Sequence, residues 1–163
     1  MSRGYEAEVK KFLGPHGPIS GLLEDYEVRP EQVKMAGAVL RCLAEDSILF
    51  VEAGTGTGKT LSYLVPALYS ERRVVISTGT KALQEQLIYK DLPVLSREFQ
   101  VNAVLMKGRS NYLCWKRYHD FNRAPAFHFR DEISHFKTIN EWASKTKTGD
   151  RAEVPGLPDE YPP

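Results

Sequence analysis

Long apolar runs, a dominant charge and a useful number of cysteines are all missing from these 163 residues. No stretch approaches the roughly 20 apolar residues that a membrane-crossing helix needs. The opening MSRGYEAEVKKFLG has no apolar core of the kind a secretory leader carries. A cytoplasmic chain without membrane contact is the expectation. Lys plus Arg is 22 and Asp plus Glu is 21, a net charge of +1. That balance excludes a domain devoted to nucleic acid through one overwhelming sign, although a local basic strip stays compatible with it. The two cysteines, Cys42 and Cys114, have no CxxC spacing and cannot close a metal site by themselves. Cys42, between Leu40 and Leu43, reads as a reduced thiol at a helix edge. No internal repeat is present.

What is there is ordinary folded-protein composition, 42% hydrophobic, over a length that suits one domain with a core. The stretch up to Tyr26 is broken by Gly14, Pro15, Gly17 and Pro18. It reads as a loose arm with one short helix near Glu6 to Leu13. Pro30 suits a first helical position, and Val33, Ala36, Leu40 and Leu43 recur at helical spacing, which predicts a helix from Pro30 to about Ala44. Three short apolar runs follow: Ile48 to Val51, Val74 to Ile76 and Val101 to Met106. Each reads as a buried strand. Between them, Leu61 to Tyr69 and Lys81 to Tyr89 read as helices, the first interrupted by Pro66. Strand and helix in alternation predict parallel strands with right-handed crossovers, the start of a doubly wound α/β domain. Trp115 to Trp142 carries aromatics and charges in a helical pattern, and Lys145 to Pro163 reads as a linker.

The most informative stretch is Ala53-Gly54-Thr55-Gly56-Thr57-Gly58-Lys59-Thr60. It follows the phosphate-loop pattern GxxxxGK[ST] with Ala53 in place of the first glycine. Glycines let the backbone curl so that successive N–H groups face phosphate oxygens. The helix that follows adds the positive end of its dipole. Lys59 is placed to reach the β- and γ-phosphates of ATP, and Thr60 to hold Mg²⁺ through its hydroxyl. The alternative is a glycine-rich turn that binds nothing. An apolar run before the loop and a helix after it favour the nucleotide.

The flanks narrow the class. Upstream, YEVRPEQ contains Arg29 and Gln32, and a Gln side chain can grip adenine with two hydrogen bonds; otherwise it is a solvated helix residue. Downstream, Thr78, Gly79 and Thr80 precede a predicted helix. Hydroxyls and N–H groups at such a junction suit a phosphate of single-stranded DNA, and Thr80 equally suits a helix cap.

In this order and spacing, VEAGTGTGKT, VVISTGTKALQEQL, KDLP and KGRSNYLC resemble the DinG/YoaA branch of the XPD-like iron–sulfur helicases of superfamily 2. The resemblance runs from about Tyr26 to Cys114. It implies a partial RecA-like P-loop NTPase domain with a parallel sheet, followed by the start of an iron–sulfur insertion. The organisation it implies is an N-terminal arm over 1–25, the first half of the ATP-binding domain over 26–108, and the start of the insertion with a truncated linker over 109–163. Arg29, Gln32 and Ala53 to Thr60 become the nucleotide site, with Lys59 and Thr60 catalytic. Thr78, Gly79, Thr80, Lys107 and Arg109 become DNA contacts. Cys114 becomes the first of four ligands to a [4Fe–4S] cluster.

The implied protein is a monomeric ATP- and Mg²⁺-dependent DNA helicase that works on single-stranded and forked DNA in DNA repair. A motor also needs an acidic pair after a buried strand. Asp131-Glu132 and Asp159-Glu160 do not follow one, and the second motor domain and three cluster cysteines are missing. The chain is therefore expected to be an inactive N-terminal part. Two other readings stay open: a P-loop kinase or small ATPase, disfavoured by the second phosphate junction, and a free-standing nucleotide- or DNA-binding module that does not hydrolyse.

Overall fold

Proline and glycine set where the helices start and turn. The computed structural model describes residues 2–157, with side chains from Glu6 onward. It divides after Leu105 into two units, described separately. In the first, helix α1 spans Ser2–Phe12 and α2 spans Pro18–Leu22. Gly17 makes the turn between them possible. A Cβ there would lie 2.2 Å from the carbonyl oxygens of Lys11 and Phe12, so any side chain would push the two helices apart. The opening stretch is thus folded rather than loose, with Val9, Phe12, Leu13 and Ile19 fully or almost fully buried.

Helix α3, Pro30–Glu45, begins on its proline and stops at Asp46, which takes a left-handed φ of 52°. Helix α4, Lys59–Tyr69, starts at Gly58 and contains Pro66. Helix α5, Lys81–Gln86, runs through a wider π turn at Leu87–Asp91 into α6, Leu92–Leu95. Pro93 has no N–H for the preceding turn, and a π turn accommodates such a defect. Ala36 and Leu40 of α3, Leu64 and Val65 of α4, and Leu87 and Leu95 complete the core begun by α1. Phe12, Tyr69 and Phe99 close it as a ring cluster, with centroids 5.1 to 6.1 Å apart.

The expected parallel sheet is not there. Ile48 to Val51, Val74 to Ile76 and Val101 to Met106 lie in stretches without strand structure, and among the described residues no strands form a sheet. Their apolar side chains are not in the core either: Phe50 is 93% and Val75 89% exposed. The RecA-like α/β expectation is therefore corrected to a helical first unit. The physical reason is that a strand exists only when a neighbour completes its ladder of N–H and C=O groups. Runs of three to six residues carry the propensity without the partner. The hydrophobic burial here goes to α1, α3, α4 and α6 instead.

The second unit is built on α7, Trp115–Arg123, and α8, Arg130–Ala143. The sequence pattern continues across both, but Pro125 forbids helical backbone at the residue before it. Ala124 accordingly takes φ −143° and ψ 71°. Glu132 then reaches back to accept hydrogen bonds from the His128 and Phe129 N–H groups, at 2.6 and 3.3 Å. The segment after α8, expected as linker, is tied down through Glu153. Its carboxylate accepts from the Trp142 indole at 2.7 Å, from Thr146 at 2.7 Å and from Thr148 at 2.5 Å. Short 3₁₀ turns lie at Arg109–Asn111 and Arg151–Glu153, and Tyr112 pairs with Asp150 in an isolated antiparallel bridge. The Asp159-Glu160 pair lies outside the described residues.

Candidate functional site

The loop from Ala53 to Thr60 curls because two of its glycines take conformations closed to other residues, with φ of 79° at Gly56 and 76° at Gly58. Thr57 closes the turn by donating to the Gly54 carbonyl at 3.0 Å. Lys59 opens α4, and its ammonium folds over the loop to donate to the Ala53 and Gly54 carbonyls at 2.9 and 2.6 Å. Thr60 follows in the first turn of α4, where the unpaired N–H groups and the helix dipole favour an anion.

Arg29 and Gln32, picked out upstream, are brought against this loop. The Arg29 guanidinium donates to the Gly56 carbonyl. Gln32 is 3% exposed. Its amide nitrogen donates to the Gly58 carbonyl at 3.2 Å, and its amide oxygen accepts from the Tyr26 hydroxyl at 2.7 Å. A Cβ on Gly58 would lie 2.2 Å from that amide nitrogen, so the glycine is required by its neighbour as well as by its φ. Burial raises the Tyr26 phenol above its usual range, with the Arg29 charge opposing. Tyr63, one turn past Thr60, is raised by burial too; a hydrogen bond with Thr60 opposes this and the Asp91 carboxylate adds to it. Burial also raises Asp91, against its hydrogen bond from Gln86. Sequence reasoning named Tyr26 within YEVRPEQ without giving it a partner, and missed Tyr63 and Asp91, whose spacing does not mark them.

At the downstream junction, Thr80 caps α5 by accepting from the Leu83 N–H at 3.3 Å, and the Thr78 hydroxyl donates to the Thr80 carbonyl at 3.0 Å. Gly79 lies between them, exposed. In the second unit, Arg109 is exposed at the start of a 3₁₀ turn. Lys107 is not: its side chain is 3% exposed and its ammonium pairs with Asp150 at 2.8 Å. Its backbone N–H donates to the Tyr112 hydroxyl at 3.0 Å. Asp150 carries no sequence signal that couples it to Lys107.

Cys114 sits half-buried at the residue before α7, just after Leu113, whose N–H donates to the Gly149 carbonyl at 2.8 Å. The Cys42 thiol, in the first unit, donates to the Ser47 carbonyl at 2.7 Å. A [4Fe–4S] cluster takes four thiolates. The second unit has one cysteine, and among the described residues no group of three or more His, Cys, Asp or Glu side chains is gathered to hold a metal. The residues present do not fit the cluster. Among the described residues, no helix is long and apolar enough to cross a membrane.

Comparison with known proteins agrees with the loop. Residues 29–126 match the DEAD/DEAH box helicase family. The chain is 36% identical over 160 residues to the Haemophilus influenzae protein named ATP-dependent DNA helicase YoaA, which covers 97% of this chain and 25% of that protein. It is 38% identical over 156 residues to the Mycobacterium tuberculosis protein named ATP-dependent helicase DinG, across 80% of this chain and 23% of the relative. It is 33% identical over 157 residues to the Bacillus subtilis protein named 3'-5' exonuclease DinG, across 92% of this chain and 17% of the relative. The chain thus spans a quarter or less of the length of these relatives. No solved structure matches it significantly.

Proposed function

The chain belongs to the DEAD/DEAH box helicase family, in its DinG/YoaA-type branch, and on that premise we propose that it is the ATP-binding segment of an ATP-dependent DNA helicase. The observation that carries this reading is the loop from Ala53 to Thr60, curled by left-handed Gly56 and Gly58 at the start of α4. Lys59 would exchange its present carbonyl partners for the β- and γ-phosphates, a stronger, charge-assisted contact. Thr60 would hold Mg²⁺ through its hydroxyl. Gly54, Thr55, Gly56, Thr57 and Gly58 would offer backbone N–H groups to the phosphates, with Ala53 opening the turn. Arg29 and Gln32 brace this loop from behind.

Thr78, Gly79, Thr80 and Arg109 are proposed as contacts to the DNA backbone. Single-stranded and forked DNA, DNA repair and a cytoplasmic, monomeric protein complete the reading. In a longer chain with further cysteines, Cys114 would be one thiolate of four. An arginine finger is worth about 10³–10⁵ in rate in related phosphoryl transfer. Beyond the loop, neither Asp131-Glu132 nor Asp159-Glu160 follows an apolar run in the sequence, so the segment is expected to bind nucleotide without turning it over at a useful rate. Calorimetric titration of a non-hydrolysable ATP analogue with Mg²⁺ tests the reading: saturable binding supports it, and none at millimolar nucleotide would overturn it.

A further inference from the structure

A cavity of about 300 Å³ lies inside the second unit. It is walled by Tyr118 and Phe121 of α7 and by Phe136 and Trp142 of α8, with Arg117 and Arg151 also lining it. The volume is at the small end of ligand pockets, suited to a single ring system. The walls are held in place. The Phe121 and Phe136 rings meet at 4.8 Å, and the Trp142 indole is fixed by its hydrogen bond to Glu153. The four aromatic walls are half-buried, Arg117 is exposed and Arg151 half-buried. Cys114 is not part of the lining.

Two guanidinium groups and no carboxylate are among the side chains that line the cavity. The second unit, Met106–Pro163, contains ten Lys and Arg against eight Asp and Glu. Glu153, which holds the Trp142 indole, already accepts three hydrogen bonds from the protein. Aromatic walls stack on the face of any nucleobase, and guanidinium groups pair with phosphate. Of the two basic residues that the sequence offered to DNA in this unit, Lys107 pairs with Asp150, and Arg109 is exposed and outside the cavity lining.

We propose that this cavity takes one unpaired base of single-stranded DNA, stacked among Tyr118, Phe121, Phe136 and Trp142, with Arg117 and Arg151 meeting the adjoining phosphate. The proposal rests on the DNA-helicase reading above and adds to it a site in the second unit.

The test uses the full chain and a fluorescein-labelled oligothymidylate, beside the same strand with abasic sites and free thymidine monophosphate. The intact strand is expected to bind roughly tenfold more tightly than the abasic one. Tyr118→Ala should reduce that preference, and Arg117→Ala should weaken the intact and abasic strands alike, each with circular dichroism unchanged. A strand carrying one 5-iodouracil, irradiated on the wild-type chain, should crosslink to a cavity residue, which needs no variant to fold. Equal binding of the intact and abasic strands, or crosslinks only outside the cavity, overturns the site and leaves DNA binding standing. Thymidine monophosphate binding as tightly as the strand makes it a free-nucleotide pocket and overturns it too. No strand binding at all overturns the helicase reading along with it.

Discussion

Lys107 and Asp150 stand 43 residues apart in sequence and 2.8 Å apart in the fold, with side chains 3% and 13% exposed. A buried pair of this kind is costly to break from one side, because the partner is left charged and unpaired. Lys107→Ala is expected to destabilise the second unit by about 3–5 kcal/mol, read from urea denaturation followed by tryptophan fluorescence. The apolar double replacement Lys107→Met with Asp150→Leu should recover most of that loss. A Lys107→Ala chain of normal stability with weakened DNA affinity would return Lys107 to the DNA backbone.

Lys59→Ala removes the charged partner proposed for the nucleotide phosphates. A hydrogen bond to a charged group contributes roughly 1.5–3 kcal/mol, or about a 10- to 150-fold rise in Kd for a Mg²⁺–ATP analogue. Unchanged affinity in calorimetry would remove Lys59 from the site.

Gln32 separates loop bracing from base reading. Both ends of its amide are engaged within the protein, by Tyr26 and by Gly58. Gln32→Ala should therefore weaken ATP and GTP alike, by competition binding, and Gly58→Ala should do the same by driving a Cβ into Gln32. A loss confined to ATP would show that Gln32 leaves the loop to read adenine.

Glu153 gives the second unit a dependence on acid. Hydrogen bonds from Thr148, Thr146 and Trp142, in falling order, hold its carboxyl below the ordinary value of 4.5. A folded-state pKa below the unfolded one stabilises the fold above the unfolded value, and that contribution is lost as pH falls through the folded one. Trp142 fluorescence should therefore stay native-like down to about pH 4.5 and change only below it. Glu153→Gln should flatten this part of the pH profile. An unaltered profile in the variant would assign the acid response to another group.

Purified alone, this chain should carry no stoichiometric iron, since a [4Fe–4S] cluster asks for four thiolates and the sequence has two cysteines. Where a longer protein with further cysteines holds a cluster by iron and sulfide assay, Cys114→Ser is expected to diminish it. A full cluster retained with Ser at 114 would release Cys114 from that role.

The curl of the loop from Ala53 to Thr60 was legible because its geometry is local. Gly56 and Gly58 turn the backbone through their own dihedrals just before the helix that opens at Lys59, so spacing alone marks the turn. The helices starting at Pro30 and Lys59 were legible for the same reason, since proline and glycine act on adjacent dihedrals. The sheet was misread because Ile48 to Val51 has strand propensity but pairing is a property of two segments. Lys107 shows the same limit: its spacing offers a basic residue to DNA, and its pairing with Asp150 emerges only in the folded chain. The ring-lined cavity was hidden because Pro125 folds one helical pattern into two facing helices.

The bare apolar runs carry an expectation for how this polypeptide behaves in a tube and in a cell. Phe50, Val75 and Val104 present hydrophobic side chains to water on backbone whose N–H and C=O groups no ladder occupies. Such segments template one another. Solubility should fall steeply with concentration, dilute storage should outlast concentrated stock, and a freshly synthesised chain should be a ready client for chaperones that hold extended, greasy peptides.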